Sequence, residues 1–119
     1  MRNRLILRAS LPVVLAAGFM VSRNPAAADT THPAVKGDTR SGRIVFRNCE
    51  GCHAAQSNEQ LVGPSLKGLF KKTKLVNGKK PSEPNIREIL LRGYNSMPPF
   101  DRSLSEDKVQ DLLAYLSTL

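Results

Sequence analysis

Tryptophan is absent from these 119 residues, tyrosine occurs twice, and there are only two cysteines, two histidines and three methionines. With so few aromatics and no recognisable nucleic-acid motif, the chain has little with which to stack on bases, and nucleic acid is not an expected partner. A structural zinc site needs four ligands. Two cysteines and two histidines, one of them His32 in a polar Thr-His-Pro-Ala stretch, are a poor source for it. Nor is there a long hydrophobic run. The best, roughly from Leu11 to Val21, is broken by Pro12 and Gly18 and falls short of the ~20 apolar residues that cross a bilayer. The first cysteine is Cys49, so a lipid anchor attached near that run is excluded.

What the N-terminus does contain is an export pattern. Arg2, Arg4 and Arg8 precede the apolar stretch, and Ala26, Ala27 and Ala28 follow it, the order of a cleavable signal peptide. Residues 1–28 are expected to be removed, with no transmembrane anchor after processing and a periplasmic or otherwise exported destination. The segment 29–39 then reads as a lead-in and 40–119 as the one domain. Four of the 18 basic residues and none of the 10 acidic ones fall in the signal, so the net charge drops from +8 to +4. A domain this small buries too little surface to be comfortably stable alone and tends to recruit a disulfide, metal or cofactor.

The cysteines identify the cofactor. Cys49-Glu50-Gly51-Cys52-His53 has the C-x-x-C-H spacing of covalent haem attachment. Two thiols on one tight turn match the two vinyl groups of the ring, and the adjacent histidine supplies a proximal nitrogen to the iron. A thioredoxin-like pair would need a strand–helix–strand context, and no apolar strand flanks this motif. Beyond the signal, Met97 is the only methionine. It lies in Ser96-Met97-Pro98-Pro99, where the prolines disfavour helix. A thioether on a stiff loop is the candidate sixth ligand, and Met/His ligation raises the reduction potential. The ordinary alternative is a gap-filling core methionine. His32 is the fallback ligand, and a lysine between Lys67 and Lys80 the remote one.

Helical periodicity recurs three times, and no alternating strand pattern occurs, so the fold class is all-α. One helix is expected from Asp38 or Thr39, either able to cap, to about Cys49, with Gly42, Phe46 and Cys49 on one face. A second spans about 84–92, with Pro84 in its first turn and Gly93 as a left-handed cap. The third covers about 106–117, capped by Ser105 or by a Ser103–Glu106 capping box. Its stripe is Val109, Leu112, Leu113 and Leu116.

The blocks Gly42–His53, Gly63-Pro64-Ser65-Leu66-Lys67-Gly68-Leu69-Phe70, Met97-Pro98-Pro99-Phe100 and Leu112-Leu113-Ala114-Tyr115-Leu116 together resemble the class I cytochromes c, in family order. The resemblance implies three main helices and long loops wrapped around one haem c. It also implies crossing of the first and last helices, with Gly42 at the close approach and Phe46 near Tyr115. Pro64 would offer its carbonyl to His53, and Leu66 and Leu116 would flank the ring. The loop 71–82 matches no family block, and no tryptophan is present to hold a propionate.

Filled axial positions would make the chain a one-electron carrier rather than an enzyme. The alternatives are a cytochrome subunit of a dehydrogenase or oxidase complex, or an open-iron protein with peroxidase or ligand-sensing activity. Lys67, Lys71, Lys72, Lys74, Lys79 and Lys80 form a basic run with no acid between them. The run is either a solvated loop or a docking rim for acidic redox proteins.

Overall fold

The computed structural model describes residues 35–119. The expected signal and His32 lie outside them. Three helices occur in this span: α1, Thr39–Phe46; α2, Glu83–Arg92; and α3, Glu106–Leu116. A 3₁₀ turn at Leu69–Lys71 was not visible in the periodicity. Among the described residues there is no strand, and the one isolated bridge joins Tyr94 to Met97.

Asp38 caps α1 by accepting the Ser41 N–H at 2.6 Å, and that bond holds its carboxyl below the usual carboxylate range. The helix stops at Phe46, three residues short of Cys49. Asn48 explains the difference. Its side-chain amide donates to the Val45 carbonyl at 3.0 Å, the acceptor that an α-helical Cys49 N–H would use. Arg47, Asn48 and Cys49 instead bond three residues back, to Ile44, Val45 and Phe46. This tighter winding leads straight into the cysteine turn.

Ser82 caps α2 and accepts the Asn85 N–H. Gly93 closes the helix at φ 73° and ψ 174°, a positive-φ conformation but not the expected left-handed cap. Ser105 stands at the head of α3 without making a side-chain cap bond. The capping box does not form, because Ser103 turns to the Phe100 carbonyl and Glu106 is held in a fork by Arg87 at 2.7 and 2.9 Å.

The core lies where α1 meets α3. Phe46, Val109, Leu112 and Leu113 are essentially sealed from solvent. Phe46 meets Tyr115 with ring centroids 5.3 Å apart, tilted by 53°, as the resemblance implies. Gly42 makes the approach possible. A Cβ there would stand 1.9 Å from the Asp111 carbonyl oxygen and 2.8 Å from the Tyr115 Cβ. Arg87 and Gln110 tie α2 to α3 at 2.8 Å, and Gln110 also donates to the Lys36 carbonyl at 2.7 Å.

Candidate haem site

The cysteine turn grows directly from the end of α1. The Cys52 and His53 N–H groups both return to the Cys49 carbonyl, at 3.0 and 2.9 Å, so the five residues form one compact loop. Cys49 is half-buried and Cys52 exposed, and neither is in a disulfide. Burial, with the neighbouring Cys52 and Glu50, pushes the Cys49 thiol up.

A strap, residues 63–66, lies across this loop. The Gly63 N–H donates to the Cys52 carbonyl and the Leu66 N–H to the Ala54 carbonyl, both at 2.8 Å. Between these ties the Pro64 carbonyl oxygen lies 2.8 Å from His53 Nδ1. A carbonyl can only accept, so Nδ1 carries the proton and donates it. In the neutral ring this leaves the lone pair on the other nitrogen, Nε2, the arrangement a metal-ligating histidine requires. Gly63 clears space for the ring, since a Cβ there would fall 2.3 Å from His53 Cε1. In sequence Gly63 is simply the first residue of its family block, and nothing local to it announces a ring packed on its face.

Met97 is half-buried against the core and sits on a tight two-residue turn. Tyr94 and Met97 exchange N–H···O bonds of 3.1 and 2.9 Å, and Asn95 takes the positive φ of 51° that Asn tolerates better than most residues. Gly93 lets the turn fold back, because a Cβ there would meet the Met97 carbonyl oxygen at 2.5 Å. Leu66 is half-buried beside the core, and Leu116 is within it.

A cavity of about 240 Å³ opens beside Cys49, walled by Val45, Leu90, Phe100, Leu104 and Leu112. Its walls are mostly apolar, with Asn48 and Ser103 the only polar residues beside Cys49. The residues present fit the group: two unpaired thiols, a histidine in the ligating tautomer and an apolar recess. Leu112 was legible in the third helix's stripe, but its meeting with Leu90 and Leu104 at Cys49 was not.

The six lysines divide. Lys67, Lys71, Lys74 and Lys80 stand exposed. Lys72 turns inward and donates to the Ser65 carbonyl at 2.6 Å. Lys79 pairs with Glu88 of α2, and its hydrogen bond holds the Glu88 carboxyl below its usual range. The run has no acid in sequence but acquires one in space.

Comparison with known proteins agrees with this geometry. Residues 37–116 match the family described as cytochrome c oxidase, cbb3-type, subunit III. The chain is 37% identical to a cytochrome c6-like protein of Nostoc over 87 residues, covering 72% of this chain and 75% of that one. It is 31% identical to cytochrome c6 of Thermosynechococcus vestitus over 103 residues, covering 86% and 82%. The solved cytochrome c6 of the diatom Phaeodactylum tricornutum superposes with a TM-score of 0.56 at 27% identity, covering 69% of this chain and 93% of the diatom protein. The chain therefore belongs to the small class I c-type cytochromes, electron-transfer proteins that carry one covalently bound haem c.

Proposed function

We propose that this cytochrome is an exported, periplasmic shuttle whose haem is attached through Cys49 and Cys52 and ligated by His53 and Met97. The bound haem supplies one-electron cycling between Fe(II) and Fe(III). The observation that carries the reading is the His53–Pro64 bond, which leaves Nε2 free for a metal. Pro64 fixes the ring and raises its basicity. Met97, on its short turn, would fill the other axial position and keep substrates off the iron. Among the described residues no helix is long and apolar enough to cross a membrane. The c6 relatives match over most of their own length, which favours a shuttle over a subunit of a larger complex.

The visible spectrum of the holoprotein tests the ligand set. Wild type should be low-spin in both redox states, with a weak sulfur-to-iron band when oxidised. Met97→Ala should lose that band, lower the potential and turn carbon monoxide binding to the ferrous protein from negligible to rapid. Rapid binding by wild type would instead mean an open iron.

Lys67, Lys71, Lys74 and Lys80 are the candidate docking charges for an acidic redox protein. Replacing Lys71 and Lys74 together by glutamate should slow electron transfer to such a partner about tenfold at low salt. The rates should converge near 1 M salt, where screening acts within ~3 Å. An unchanged salt dependence in stopped-flow measurements would eliminate this surface.

A further inference from the structure

The two backbone ties of the strap hold residues 63 and 66, and Pro64, with no N–H, cannot add a third. The peptide that bears on His53 is secured from the side instead. The Ser65 hydroxyl donates to the Ser57 carbonyl at 2.6 Å and accepts the Lys67 N–H at 3.2 Å. Lys72 donates to the Ser65 carbonyl at 2.6 Å. Lys72 can serve here because it directly follows the 3₁₀ turn, whose Leu69 and Phe70 are buried in the core. It thus links the core to the strap.

We propose that Ser65 and Lys72 are positioning residues that clamp the Pro64 carbonyl onto His53 and thereby tune the potential of the iron. The inference rests on His53 being the proximal ligand. A firm Nδ1–H···O bond makes the imidazole more basic and favours Fe(III). Loosening the clamp weakens that bond and shifts the couple towards Fe(II).

The test uses holoprotein variants that keep the low-spin spectrum. Ser65→Ala removes the hydroxyl ties without changing charge. It should shift the ferrous-to-ferric ratio in a fixed redox buffer about two- to tenfold towards ferrous, the range spanned by losing part of one neutral hydrogen bond. By NMR, its His53 Nδ1–H should exchange about fivefold faster or more, and Ser65→Thr should restore both values. Lys72→Met should accelerate the same exchange, whereas Lys71→Met, which removes an equal charge from an exposed position, should not. A Ser65→Ala protein that is less stable yet unchanged in potential and in Nδ1–H exchange would overturn the clamp. A wild-type protein whose His53 ring protons show no shift from the iron would overturn the ligand assignment itself.

Discussion

Replacing Cys49 and Cys52 together by alanine is expected to leave the chain without covalent haem and mostly unfolded at 25 °C. The core explains why. Beyond the α1–α3 contact, its members are few and come one or two at a time: Leu69 and Phe70 from the 3₁₀ turn, Leu75 from a loop, Ile86 and Leu90 from α2. Domains of this size keep only about 5–15 kcal/mol of net stability, and a buried macrocycle supplies apolar mass that three short helices cannot replace. Covalent attachment also makes that contribution independent of free haem concentration, whereas a dissociable ligand stabilises only by mass action. The measurements are intact mass, for the haem adduct, and far-UV circular dichroism. A variant that lacks haem but keeps the helical signal and a cooperative melt would show that the polypeptide folds on its own. Single replacements should be milder, since one thioether retains the group.

The attachment motif and the helices were legible because each is a short-range pattern. The proposed haem attachment rests on the spacing of Cys49, Cys52 and His53 alone, and the α3 stripe needs only helical period to be seen. What sequence did not disclose depends on distant segments meeting. Glu88 reaches Lys79 only once α2 has docked, so a run that looked uniformly basic contains a neutralised member. Lys72 looks like its neighbours until the 3₁₀ turn aims it at Ser65. Helix ends depended on competition for single acceptors: Asn48 takes the Val45 carbonyl, and the Glu106 carboxylate, claimed by Arg87, is not free to cap. Gly42 stands between these cases. Its place on the α1 face was readable, but the 1.9 Å separation that makes it indispensable was not.

Gly42→Ala should destabilise the holoprotein by about 3 kcal/mol or more, although helix propensity alone argues the opposite. Within a helix, alanine is better than glycine by about 0.5–1 kcal/mol. Against that small gain stands a Cβ built 1.9 Å from the Asp111 carbonyl oxygen and 2.6 Å from its carbon. Both are backbone atoms, so no rotamer change relieves the overlap and the two helices must separate. Separation spreads the loss, because Phe46 and Tyr115 pack one turn further along the same seam and the Asp38 N–H bonds Asp111 across it at 2.8 Å. Overpacking a core commonly costs about 1–3 kcal/mol, and a clash with fixed backbone belongs at or beyond the top of that range. For a domain of this length each kcal/mol moves the melting temperature by about 4–8 °C, so a fall of roughly 12 °C or more is expected. The neighbouring Arg43 is exposed on the same helix, and Arg43→Ala should leave the melting temperature nearly unchanged. If Gly42→Ala melts at or above wild type, the helices have slack at their crossing, and the close approach is not what holds this fold together.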